Sequence, residues 1–496
     1  MHTPTAIIIG SGVAGLAMSV RLAVQGYRVS VYETNSYPGG KLSAFEQDGF
    51  HFDAGPSLFT EPENIEALFT LAGERMEEYF QYENVPVACN YFFDNGKRVQ
   101  AFTDKEALQQ ELAVKLGENP EQVSRYLSDA QNLYQEVGSV FLDHSLHKRR
   151  TWLHKRTLTA FKAVKWPHVF GTLDSYNRKG FRSEEATQLF NRYATYNGSN
   201  PYSAPGMLSL IPHLELNKGT YYPKGGMISI TNALYQLALK KGVEFHFDQP
   251  VQRIIHHEGK VRGVVVNNNN FFADIVVSNA DVYFTYKNLL QYQSKAKRLL
   301  RQERSSSAVI FYWGMGDSFP ELGLHNIFFS KKYKDEFQYL FDKKEMMNDP
   351  TVYINITSKL EEGLAPKGNE NWFVMVNAPA NYGQNWEAMI QQCRVNAIEK
   401  ISRILGRDIE PLIKNESVLD PISIESKTGS YMGSLYGTSS NSKLAAFFRA
   451  PNFTNYIRGL YFCGGTVHPG GGIPLCLHSA KITAELIAKD NIQPSH

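Results

Sequence analysis

The chain has 496 residues, of which 43% are hydrophobic and 20% charged, and its formal net charge is +2. That length supports a large core split between at least two domains, and so small a charge leaves no nucleic-acid footprint over the molecule as a whole. Cys89, Cys393, Cys463 and Cys476 are too far apart for a CxxC pair or a disulfide framework, which fits a reducing compartment. No charged segment precedes the first apolar run, and no uninterrupted apolar stretch reaches the roughly 18 residues of a membrane span. The expectation is a cytoplasmic chain, soluble or peripheral to a membrane.

Ala6 to Ile9 is continuously apolar, as suits a strand buried on both faces. Gly10-Ser-Gly12-Val-Ala-Gly15 follows, then a helix and a second strand ending at Glu33. Gly10 permits a tight turn, Gly12 leaves room for a pyrophosphate at the backbone, and Gly15 lets the helix lie close to the sheet. The helix N-terminus offers free N–H groups and its positive dipole end to phosphates. Glu33, eighteen residues beyond Gly15, is placed to accept hydrogen bonds from ribose hydroxyls, which disfavours NADP. Up to this residue NAD and FAD both remain open.

Pro38-Gly39-Gly40-Lys41 and Asp53-Ala-Gly55-Pro56-Ser57-Leu58 come next. A second glycine doublet with a basic residue favours FAD, because the longer cofactor needs further backbone to approach it closely. Taken alone, the doublet is an ordinary turn.

Residues 64–170 read as mainly helical and increasingly basic. From Lys148 to Trp166 there are seven Lys or Arg, no acidic residue, and interleaved Trp and Phe. That mixture suits a membrane interface, with a solvated basic face as the alternative. After Tyr222-Pro-Lys-Gly-Gly226 a helix is expected over 228–239, then strands over 243–247, 251–255, 261–266 and 271–277. Asn267 to Asn270 read as a hairpin turn, since asparagine tolerates positive φ. Residues 282–420 alternate strand-like and helical stretches, as a second sheet-containing domain would, without metal-ligand spacing, paired carboxylates or a nucleophile elbow. The end of the chain, Tyr461-Phe-Cys-Gly-Gly465-Thr466-Val-His468-Pro-Gly-Gly-Gly472-Ile473-Pro474, reads as strand, glycine loop and helix, a second helix N-terminus available to a cofactor.

Together these motifs resemble the bacterial-type carotenoid desaturase family, of which phytoene desaturase is the best-known member. The resemblance spans nearly the whole chain and also rests on Ser278-Asn-Ala-Asp281, Ser434-Leu-Tyr-Gly437, Phe447-Phe-Arg449 and the terminal glycine loop. In that loop Val467 separates Thr466 from His468, and Leu475-Cys476 stands where the family commonly has Gly-Val. These departures are more similar to the branch that introduces a 3,4 double bond into acyclic 1-hydroxycarotenoids.

The resemblance implies an α/β fold with a discontinuous, Rossmann-type, glutathione-reductase-like FAD domain over 1–75, 221–285 and 415–496. A mixed-sheet substrate domain would occupy 76–220 and 286–414, with the helical stretch 112–180 a candidate membrane contact. It implies hydride transfer from an allylic carbon to flavin N5, then loss of a neighbouring proton, with a carotenoid substrate, a membrane surface as partner and no metal. Gly10, Gly12, Gly15 and Glu33 would hold the ADP half of FAD. Gly40, Lys41, Pro56, Ser57 and Leu58 would line its path, Val251 would meet the adenine, and Gly465, Thr466, Gly472 and Ile473 would face the pyrophosphate and flavin end. His468 is the catalytic candidate; the alternative is that its imidazole only supports the glycine loop. Other readings are a phytoene or squalene-type desaturase, a retinol-saturase-like reductase, an amine oxidase, and a non-catalytic prenyl-protein binding module of the same fold.

Overall fold

The computed structural model describes residues 3–153, 155–442 and 449–492, so Phe447 and Phe448 lie outside the described residues. Its first layer is a five-stranded parallel sheet in the order Leu460–Phe462, Ile275–Ser278, Thr5–Ile9, Arg28–Tyr32, Glu244–His246. Side chains alternate between its faces, and both faces are covered, which is why the central run is apolar without a break. Ala6, Ile8, Val29, Val31 and Val277 pack in one core with the helices Val13–Val24, Ile228–Lys240 and Ile473–Ile492. Ile7, Ile9 and Val276 join a second core with the antiparallel strands Val251–His257 and Lys260–Val266.

The hairpin between 266 and 269 turns on Asn267 and Asn268, with φ of 48° and 62°. Asn269 and Asn270 already belong to the strand Asn269–Phe272, so the turn is shorter than expected. The single strand expected over 271–277 is two strands: Asn269–Phe272 closes the three-stranded unit, and Ile275–Ser278 enters the parallel sheet.

The second layer is a seven-stranded mixed sheet, ordered Ile413–Leu419, Ser307–Met315, Glu370–Ala378, Val352–Asn355, His325–Phe328, Val87–Phe92, Arg98–Phe102. All neighbours are antiparallel except His325–Phe328 with Val87–Phe92. Two of these strands arise inside the stretch expected to be mainly helical. Val87–Phe92 is buried almost throughout, so it shows no polar alternation to mark it as a strand. Ile413–Leu419 contains the expected boundary at 415 and forms an edge of this sheet. One face, with Phe311, Trp313, Trp372 and Val374, packs on the helix Trp386–Leu405. The opposite face presents Ile310, Tyr312, Tyr353, Phe373 and Met375 to a large cavity.

Candidate active site

A continuous cavity of about 2070 Å³ is bounded by the parallel-sheet layer, the seven-stranded sheet and the helical region. Its dinucleotide end is built by backbone geometry. Gly10, at φ 92°, donates its N–H to the Tyr32 carbonyl at 2.8 Å and so turns the chain into the helix Val13–Val24. Gly12 caps that helix without a side-chain hydrogen bond, leaving the first helical N–H groups to a ligand. A Cβ added at Gly12 would stand 2.9 Å from Asn279 Oδ1. Glu33 is held at the strand end: Oε2 accepts from Ser11 N at 2.7 Å and Ser11 Oγ at 2.8 Å, and Oε1 accepts from Asn35 N at 2.9 Å.

Gly10, Gly12, Glu33, Gly40, Lys41 and Val251 all line the cavity, as do Pro56, Ser57 and Leu58. Gly465, Thr466, Gly472 and Ile473 line it from the other end of the chain. Gly472, at φ 110°, has open space where a Cβ would project, immediately before the terminal helix. Gly15 does not line the cavity. It sits behind it, where a Cβ would be 2.2 Å from the Gly10 carbonyl oxygen, so its role is helix packing.

Two cations without a carboxylate partner among the described residues complete this end. Arg449 is 4% exposed and donates to the Tyr436 and Thr438 carbonyls, each at 3.1 Å. Burial pulls its guanidinium down to about 10. Lys41 is half-buried and lines the cavity, and its ammonium donates to the Leu435 carbonyl at 2.9 Å. Burial lowers it to about 8, against the opposing charge of Asp281. Two helix N-termini, two cavity-lining cations and a carboxylate at the strand end fit an extended anionic dinucleotide. An anion favours protonated Lys41, so FAD affinity is expected to fall as pH rises through about 8, where the unliganded ammonium deprotonates. Titrating FAD into the wild type and Lys41→Arg between pH 7 and 9, below the range where Arg449 loses its charge, checks this: only the wild type should weaken, by up to about tenfold per pH unit.

His468 is fully buried and is not a cavity-lining residue. Its Nε2–H donates to the His144 carbonyl at 3.0 Å, and the Phe141 ring stands edge-on at 5.0 Å. Burial above all holds the imidazole neutral, at about 3. This placement argues against a direct catalytic role: the ring ties the terminal loop to the segment around His144.

Beyond the dinucleotide end the lining is mostly apolar, from Val137, Phe141, Leu142 and Leu146 to Leu208, Leu210 and Leu214. Trp152, Trp166 and Phe170 also line the cavity yet are 38%, 76% and 56% exposed, so the cavity reaches the surface among them. Against this apolar setting stands a buried polar cluster absent from the sequence reading. Arg192 pairs with Glu215, and its Nε donates to Tyr91 Oη at 2.5 Å. Glu215 also accepts from Tyr193, at 2.9 Å, and from Tyr196. Burial alone would lower Arg192, but the facing Glu215 charge keeps it well above its ordinary value. No spacing rule links positions 192 and 215; only tertiary packing brings them together.

A Rossmann-type cradle opening into an apolar cavity under a mixed sheet fits a flavin-dependent oxidoreductase. The chain belongs to the flavin containing amine oxidoreductase family, which matches residues 13–488, and within it to the carotenoid desaturases. It is 51% identical to the 1-hydroxycarotenoid 3,4-desaturase of Flavobacterium sp. (strain P99-3), over 98% of this chain and 99% of that one. It is 32% identical to the 4,4'-diapolycopene oxygenase of Methylomonas sp, over 98% of each. Cyclohexylamine oxidase from Brevibacterium oxydans IH-35A shares the fold, with a TM-score of 0.62 at 16% identity, covering 99% of this chain and 100% of that one. FAD is the cofactor. Among the described residues no helix is long and apolar enough to cross a membrane.

Proposed function

We propose that the chain introduces the C-3,4 double bond into an acyclic 1-hydroxycarotenoid. The observation that carries this reading is one continuous cavity joining a dinucleotide cradle to an apolar passage, in a chain similar over its whole length to an enzyme named for that reaction. Bound FAD supplies the hydride acceptor. The chain's own residues position the substrate and keep water out. Apolar walls accept a polyene without stripping hydrogen bonds from it, and they exclude the solvent that would quench a cationic carbon. Two lining carboxylates are already engaged, Glu61 by Lys218 and Tyr134, and Glu215 by Arg192 and two tyrosines. A carbon beside a delocalised cation is strongly acidic, so a weak base suffices for the second step.

Incubating the FAD-loaded protein separately with hydroxylated and non-hydroxylated acyclic carotenoids tests the reading. The hydroxylated chain should gain one conjugated double bond and absorb at longer wavelength; desaturation of the non-hydroxylated chain alone refutes it.

The mouth fits a membrane surface, where such a substrate is dissolved. Trp166 and Phe170 have ring centroids 4.7 Å apart, and the exposed Arg149, Arg150, Lys162 and Lys165 precede them in the chain. Rings at headgroup depth and cations facing anionic lipid would dock the mouth on the bilayer. Flotation with anionic vesicles should fall at least about tenfold in a Trp152→Ser, Trp166→Ser, Phe170→Ser variant. Unchanged flotation would remove the docking site from this face.

A further inference from the structure

The sheet wall of the cavity carries one polar group that nothing among the described residues satisfies. His325 is 2% exposed and lines the cavity, and its Nε2 has no hydrogen-bond partner. Its Nδ1 lies 2.7 Å from Tyr353 Oη and 3.2 Å from Asn355 Nδ2. Asn355 Nδ2 also donates to the Leu324 carbonyl at 3.2 Å, which marks that atom as the amide nitrogen. An amide nitrogen only donates, so His325 Nδ1 accepts and the ring proton resides on Nε2. Tyr353 then donates to Nδ1, and Ser57, 2.8 Å away, donates to Tyr353. The relay ends in an N–H on a cavity-lining ring. Burial, reinforced by the Arg192 charge, keeps that ring neutral, at about 3.

A buried N–H without an acceptor is unfavourable, and a pure hydrocarbon chain offers no acceptor. A hydroxyl does. In a 1-hydroxycarotenoid the oxygen is only three bonds from C-3 and four from C-4, so whatever binds it must lie close to the reacting carbons. His325 meets that requirement through its link to Ser57, which belongs to the loop proposed to run along FAD.

We propose that His325 Nε2–H donates a hydrogen bond to the C-1 hydroxyl of the substrate, selecting the hydroxylated chain end and setting the register of C-3 and C-4. The inference rests on the function proposed above. The same tautomer excludes His325 from accepting the substrate's proton, because Nε2 already carries one.

The test compares kcat/KM for a hydroxylated acyclic carotenoid and its deoxy counterpart in the wild type, His325→Leu and His325→Gln, with flavin absorbance confirming that each holds FAD. The wild type should prefer the hydroxylated chain. Leucine should lower that preference about tenfold by slowing the hydroxylated substrate, while glutamine, which retains a donor, should keep it within about threefold. A wild-type preference that survives unchanged in His325→Leu overturns the role of His325 and leaves the proposed function standing. Equal loss in both variants also overturns it, since a donor would then not be what matters. A wild type without the preference refutes the proposed function, and this inference with it.

Discussion

Gly15→Val is expected to produce a protein that does not retain FAD. A Cβ at this position would lie 2.2 Å from the Gly10 carbonyl oxygen and 3.2 Å from its carbonyl carbon, and Asn279 Oδ1 would be 2.9 Å away. The first two are backbone atoms of the turn that leads into the helix, so no side-chain rotation relieves the clash. The helix Val13–Val24 must retreat from the sheet, carrying with it the N–H groups that face the cavity. Overpacking of this kind costs about 1–3 kcal/mol, and displacing helix N–H groups from a phosphate adds the loss of charge-assisted hydrogen bonds, so affinity for FAD should fall at least about a hundredfold. Flavin absorbance after desalting, followed by titration with added FAD, measures it. Wild-type retention would mean that Gly15 is not needed for the close approach.

The second large effect is on stability. Arg192→Met leaves the Glu215 carboxylate, whose side chain is 1% exposed, without its countercharge. Removing one partner of a buried ion pair costs about 3–5 kcal/mol, whereas replacing both by apolar groups is often close to neutral. Denaturant midpoints should therefore drop sharply in Arg192→Met and recover in the double variant Arg192→Met, Glu215→Leu. A single variant as stable as the wild type would show that the pair is solvated in solution.

The two ends of the cavity differ in how far they can be read from the sequence. The dinucleotide end is legible because a phosphate at a helix N-terminus demands glycine at positions set by local backbone geometry. Gly10, Gly12 and Gly15 therefore stand at fixed intervals within one turn of chain, and the 464–474 loop repeats the device before the last helix. Arg449 was visible only as part of a family motif, without a role. The substrate end has no such local code. Arg192, Glu215, His325 and Tyr353 come from separate elements and meet through packing, so periodicity and spacing carry no trace of their proximity. His468 shows the converse: its glycine loop is legible, but whether its ring faces the cavity or supports the loop depends on packing, which sets it against the His144 carbonyl.

Strand assignments failed for related reasons. Val87–Phe92 is buried on both faces, which removes the alternation that marks a strand. The run from Phe271 to Val277 looks uniform, yet Ala273 and Asp274 separate strands that belong to different sheets.

On the proposed function, the cradle and the apolar passage work as one oxidoreductase site for a hydroxylated polyene. Anaerobic mixing of FAD-loaded protein with one equivalent of an acyclic 1-hydroxycarotenoid tests it most directly, with the flavin and polyene bands followed together. The flavin band should bleach in step with a shift of the polyene band to longer wavelength. An unchanged flavin band with this substrate, or bleaching only with the non-hydroxylated chain, would contradict the proposed function.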